Sequence, residues 1–121
     1  MPEFGNPFAG QKFDRKLTHE ELVRAIRFMV AAEYEAIQLY EQLADSTDNK
    51  LAQTVLRDIA DEEKEHAGEF LRLLHELQPD EVDFYDEGAG EVEEMMAKLK
   101  IPSKKAAKPA AKTAAKAPAK K

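Results

Sequence analysis

Apolar residues recur at helical spacing in two long stretches of the chain. The first carries Leu22, Ile26, Met29, Val30, Ala36, Ile37, Tyr40, Leu43 and Ala44 on one stripe. It is introduced by Leu17-Thr18-His19-Glu20-Glu21-Leu22, where Thr18 and Glu21 form a capping box and Leu17 with Leu22 the matching hydrophobic staple. Phe28, Ala32 and Leu39 add a second apolar flank, wider than one antiparallel partner needs, which points to a subunit interface. The second stretch carries Ala52, Leu56, Ile59, Ala60, Ala67, Phe70, Leu74 and Leu77 and stops before Pro79. Between them lies the polar turn Asp45-Ser46-Thr47-Asp48-Asn49, with Asp48 the expected N-cap of the second helix. A turn this short folds the two helices into an antiparallel hairpin.

Beyond the hairpin the signal weakens. Residues 79–90 read as an acidic connection with two glycines, and Glu91 to Lys100 as a short third helix with Val92, Met95, Met96 and Leu99 on one face. Ile101 precedes Pro102, which ends that helix. Residues 1–16 contain Pro2, Gly5, Pro7 and Gly10 without any period and read as a flexible arm. After Pro102 lysine recurs every four residues from Lys104 to Lys120, interrupted by Pro109 and Pro118, so 102–121 read as a disordered Lys/Ala/Pro-rich tail. The expected architecture is all-α: an arm (1–16), a helical domain (17–101) and a tail (102–121).

Composition narrows this further. At 121 residues the chain holds at most one small domain, and a two-helix core is marginal alone, which favours oligomerisation. With no cysteine, disulfides, thiolate metal sites and rubredoxin-type centres are excluded from this chain. No apolar run reaches transmembrane length and no cleavable signal pattern is present, so a soluble cytoplasmic protein is expected. The net charge of −6 conceals a segregation. Seven of the 18 basic residues lie from Lys104 onward, leaving 11 against all 24 acidic residues, a body of −13. Such a body attracts cations, and the tail attracts anions.

The candidate chemistry lies inside the two stripes. Glu33 falls at the centre of the first, where a charge is costly unless paired or metal-bound. Glu63 centres the second, and His66 lies just off it, three residues on and on the same face. Glu62 falls at the edge, Glu65 and Glu69 outside, so the pattern selects one Glu-x-x-His pair. Glu33 lies about 15 residues before the turn's centre, and Glu63 and His66 about 15 to 18 after it; with equal rise on both helices the three meet at one height. Three ligands are too few for a di-iron centre, which takes a Glu and a Glu-x-x-His from each half of a four-helix bundle. The chain therefore carries half a site, and a two-fold dimer is its simplest completion. Oxygen and imidazole donors suit iron(II), with manganese or zinc as adventitious occupants. Tyr40, two turns along the same face, is placed to hydrogen-bond a ligand or simply to fill the core. His19 and His75 fall in the first turn and on the outer face, away from the trio.

The segments Glu33-Tyr34-Glu35-Ala36-Ile37-Gln38-Leu39-Tyr40, Asp45-Ser46-Thr47-Asp48 and Asp61-Glu62-Glu63-Lys64-Glu65-His66-Ala67 resemble the encapsulated ferritins, short members of the ferritin-like superfamily. The resemblance covers Leu17 to Leu99. It implies a ferroxidase that converts Fe(II) to Fe(III) with O₂ at a di-iron site in a dimer interface. It also implies a decameric ring of such dimers, working inside an encapsulin shell that stores the mineral. By matching positions it implies Glu33, Glu63 and His66 as iron ligands, Tyr40 as the nearby tyrosine, and Glu35 as an acidic residue on the path of metal uptake. The chain departs from some members at Ala32, where they have a second uptake carboxylate, and at Leu39, where they have tryptophan. The Gly/Ser/Leu-rich peptide that directs such cargo into shells is not evident, and lysines occupy its place. Two other readings stand beside this one: a peroxide-reducing relative of the rubrerythrins, and a helical DNA-binding or scaffold protein. For the tail the choices are nucleic-acid phosphates, an acidic surface such as a shell lumen, or solubilisation alone.

Overall fold

The computed structural model describes residues 15–104, which form three helices: α1 (His19–Asp45), α2 (Lys50–Leu77) and α3 (Asp80–Leu99). Most of the expected arm and of the lysine tail lies outside the described residues. No helix among the described residues is long and apolar enough to cross a membrane.

The first compact unit runs to Asp83 and is built on the α1–α2 hairpin. Its entry into α1 is the capping box: Thr18 Oγ1 accepts from the Glu21 amide at 3.1 Å, and Glu21 Oε1 accepts from the Thr18 amide at 2.9 Å. Arg15 donates to both Glu21 oxygens at 2.9 Å. Those bonds, with the Thr18 amide, hold the Glu21 carboxyl down at about 2. Leu17 and Leu22, the expected staple, stay exposed. At the turn the N-cap of α2 is Asn49, not Asp48: Asn49 Oδ1 accepts from the Ala52 amide at 2.9 Å. The turn takes one residue more than expected because Thr47 organises it. Its hydroxyl accepts from the Asn49 amide at 3.2 Å, and its carbonyl accepts from the Gln53 side chain at 2.6 Å.

A cluster of buried apolar residues lies away from the turn. Val23, Ile26 and Leu74 are buried together, with Met29, Phe70 and Leu77 against them. The α1 stripe is turned slightly from its expected setting, so that Val23 is buried while Leu22 and Leu43 are exposed. In the middle of α2 the buried residues are the small Ala60 and Ala67, and Ala44 closes the turn end of α1. Small side chains let two helix backbones approach closely. Arg27 grips Glu81, in the first turn of α3, with two bonds of 2.6 and 3.2 Å. That Glu81 side chain keeps only 13% exposure.

The second unit begins at Phe84, inside α3. Residues 79–90, expected as a connection, are helical from Asp80 onward. The helix starts at once because the Glu81 and Val82 amides reach back to the carbonyls of Gln78 and Pro79, and Asp80, Glu81 and Asp83 line its first turn. Gly88 and Gly90 each cost about 1 kcal/mol relative to alanine, too little to break a helix of this length. No residue of α3 is buried; Phe84, Val92, Met95 and Leu99 are exposed. Its end is sharp. Lys100 adopts φ 59°, its amide bonds to Ala97 O at 3.1 Å, and the Ile101 amide bonds to Met96 O at 2.9 Å, a left-handed closure just before Pro102.

Candidate metal centre

Midway along the hairpin, Glu33 of α1 faces Glu63 and His66 of α2. Glu33 follows buried Val30, and Glu63 and His66 sit between buried Ala60 and Ala67, so both helices turn this face inward. His66 Nδ1 donates to Glu63 Oε1 at 2.7 Å and stands 3.8 Å from Glu33 Oε2. One donor atom from each of the three residues lies within 4.8 Å of the others. The enclosure is uneven. Glu33 and Glu63 side chains are 17% exposed, but that of His66 is 51% exposed, so the cluster is roofed on one side only.

The electrostatics follow from that arrangement. Burial, then the hydrogen bond and negative charge of Glu63, push the Glu33 carboxyl above its usual range, with His66 partly opposing. The bond to Glu63 pushes His66 up as well, helped by Glu33 and Glu69 and opposed by its own desolvation. Left to itself the cluster therefore retains protons that an exposed carboxyl and imidazole would release. A cation removes the need for them, since it offsets the crowding of two carboxylates directly. The donors suit such an ion: oxygen and nitrogen atoms bound at about 2.1 Å sit roughly 3 to 4 Å apart, within reach of small side-chain rotations here.

The other candidates lie elsewhere. Tyr40 is half-buried, seven residues beyond Glu33 and thus ~10 Å along the helix. Glu35 is exposed and points away from the trio, two residues round the helix. Both line an open groove of about 660 Å³ on α1, alongside Ala32, Tyr34 and Leu39. That groove takes in Ala32 and Leu39 of the second apolar flank of the sequence, but not Phe28. Glu65 and Glu69 are exposed, as is His19, whereas His75, expected on the outer face, is half-buried. Lys64, within the Glu-x-x-His segment, points away from it, bridging Glu41 and Asp61 at 3.1 Å each.

Comparison with known proteins gives a consistent result. A family model described as rubrerythrin matches residues 20–117. A ferritin-like–encapsulin shell fusion protein of Pyrococcus furiosus is 42% identical over 82 residues, 68% of this chain and 24% of that protein. The encapsulin nanocompartment cargo protein EncC of Myxococcus xanthus is 43% identical over 81 residues, 67% of this chain and 61% of that protein. The chain thus aligns with less than two thirds of either curated relative. The crystal structure of the encapsulated ferritin domain from Pyrococcus furiosus superposes with a TM-score of 0.70 at 38% identity, covering 79% of this chain and 97% of that one. An all-α hairpin with a third helix, matched along nearly the whole of that domain, belongs to the rubrerythrin family of ferritin-like proteins, among the encapsulated ferritins.

Proposed function

We propose that this chain is a ferroxidase, oxidising Fe(II) to Fe(III) with O₂ at a di-iron site that two copies complete between them. The observation that carries this reading is the convergence of Glu33, Glu63 and His66 on one face left open at His66. In this reading Glu33, Glu63 and His66 of each copy would hold the iron, Glu63 as the shared ligand and Glu33 and His66 as terminal ones. Iron held there supplies one-electron chemistry, each Fe(II) giving up a single electron toward O₂. The chain's own part is to hold the donors in place and to exchange protons. Glu33 and His66 hold their protons more strongly than free side chains do, and the entering substrate ion displaces any that remain. The acidic body, −13 before the lysines, draws cations toward the open face. A second copy would cover the open side at His66, and dimers of this kind would assemble into a decameric ring. The two curated relatives are named for encapsulin shells, and we place this chain with such a shell too, in the cytoplasm.

The test is oxidation of Fe(II) in air, followed by Fe(III) absorbance for wild type, Glu63→Ala and His66→Ala at matched oligomer size. The variants should lose at least about tenfold in rate. Equal rates in all three would remove the ferroxidase reading. The match to the rubrerythrin model favours a second reading, reduction of peroxide by the same irons. This chain has no cysteine, so its own residues supply no rubredoxin-type electron donor. Faster oxidation of bound Fe(II) by hydrogen peroxide than by O₂ would select that second reading.

A further inference from the structure

The cluster of Glu33, Glu63 and His66 has an open flank at His66 and a bridged flank behind it. On α2, His66 lies about 60° from Glu63 round the helix axis, and Lys64 about 100° from it in the opposite sense. On that second flank the Lys64 ammonium reaches across to α1 and meets Glu41 Oε2 at 3.1 Å. It also donates to Asp61 Oδ1 at 3.1 Å, one turn back along α2, which steers it toward the hairpin turn. Glu41 lies eight residues nearer the turn than Glu33, whereas Lys64 lies one farther from it than Glu63. The bridge is therefore oblique, spanning roughly 10 Å along the helix axes. Arg57 and Asp45 repeat the pattern nearer the turn, at 2.8 Å and with the same lean.

The seam between these flanks is weakly held from within. Two carboxylates, each 17% exposed, face each other across it. Their buried neighbours on α2 are Ala60 and Ala67, whose short side chains leave little to interlock with a facing helix. Near the turn the chain itself fixes the register, and at the far end Val23, Ile26 and Leu74 do so. Between those two anchors the alignment depends on what spans the helices. We infer that Lys64 is a positioning residue for the metal centre: its oblique bridge to Glu41 fixes the register and spacing at which Glu33 meets Glu63 and His66. This inference rests on the reading of that trio as a metal site. Lys64 acts through Glu63 and His66 rather than on the ion. Its charge alone would act the other way, repelling a cation from the site. Neutralising it therefore separates the two roles by sign.

The experiment titrates the full chain, at matched oligomer size, with cobalt(II), followed by calorimetry and by the visible absorption of the bound ion. Lys64→Met with Glu41→Gln removes the bridge and leaves the local net charge unchanged. Lys64→Glu with Glu41→Lys restores a bridge of reversed polarity, again at unchanged net charge. Arg72→Gln with Glu76→Gln removes a pair bonded at 3.0 Å within one helix and serves as the control. The first double variant should bind cobalt(II) about two- to fivefold more weakly, the range that exposed ion pairs command, with shifted absorption bands. The swapped pair should restore affinity and bands, and the control should match wild type. Lys64→Met alone should also weaken binding; a gain in affinity would make Lys64 a repelling charge and overturn the inference. It is overturned too if the neutral pair binds as wild type does, if the swap fails to rescue it, or if the control loses as much. Hydrogen exchange of the metal-free chain gives a further readout: amides of residues 60–67 should exchange faster in the neutral pair than in wild type or the swap, and equal rates overturn the inference. A wild-type chain that binds no cobalt(II) removes the metal reading and this inference with it, whereas the losses above remove the inference alone.

Discussion

The hairpin and the third helix are both regular and both amphipathic, yet they use their apolar faces differently. The hairpin buries Val23, Ile26 and Leu74 against one another and turns Glu33 and Glu63 inward beside them. Along α3 the stripe of Val92, Met95 and Leu99 stays in solvent, and the helix buries nothing. Helices of 27 and 28 residues that bury a seam can hold charged groups in fixed relation; α3 has no buried residue with which to do the same. The candidate metal ligands therefore lie on the hairpin, and α3 offers surface. Substitutions should separate the two regions by what they change.

The largest effect belongs to the core. Leu74→Ala removes a side chain that is 2% exposed from the centre of the hairpin cluster. It should cost about 2–5 kcal/mol, seen as a lowered thermal midpoint at fixed protein concentration. Leu99→Ala, on the exposed stripe of α3, should change that midpoint far less, since no buried contact is lost within the chain. Equal losses from the two substitutions would abolish the distinction between a hairpin that buries a seam and a helix with no buried residue.

The hairpin's inward charges should also make it the region that responds to metal and pH. Glu33 and His66 both hold protons above their ordinary ranges, and both must release them to ligate an ion. Competition from protons thus persists to higher pH than for free side chains. Affinity for cobalt(II), a stable stand-in for iron(II), should rise with pH and go on rising above 6.5, by up to about tenfold per unit for each proton displaced. Calorimetry in buffers of different ionisation enthalpy counts those protons. Affinity that levels off below pH 6 would mean that His66 is not a ligand.

Much of this was legible in the chain because it is local or periodic. The Thr18–Glu21 box needs four consecutive residues, and the structure forms it. The meeting of Glu33 with Glu63 and His66 needs only a short turn and equal rise on two helices, and the structure brings them together. Three features were hidden, each for a physical reason. The cap of α2 moved from Asp48 to Asn49 because Thr47 and Gln53 bond across the turn, a choice among adjacent cap-competent residues that composition does not rank. The half-exposure of His66 depends on what covers the open side, which periodicity on one helix cannot express. The start of α3 was hidden behind two glycines treated as breakers, although each carries only a modest propensity cost.

Those glycines supply the smallest test, and it bears on what α3 is for. A methyl group built at Gly88 or Gly90 meets nothing within 4 Å, and no positive backbone angle is recorded at either. Within one chain, then, glycine has no packing reason to be there, and Gly88→Ala should raise α3 stability by roughly 0.8–1 kcal/mol. Circular dichroism and hydrogen exchange of α3 amides read that gain. Gly88 sits three residues after Tyr85 and four before Val92, on the same exposed stripe that continues through Met95 and Leu99. A neighbouring copy laid along that stripe would approach most closely where the side chain is missing. Under that arrangement the same Gly88→Ala that firms the helix should weaken the oligomer, while Gly90→Ala, off the stripe, firms the helix and leaves the oligomer intact. Sedimentation at a series of concentrations separates the two. Identical behaviour of both variants would leave the stripe without a partner at Gly88 and return α3 to the role of a solvent-facing helix.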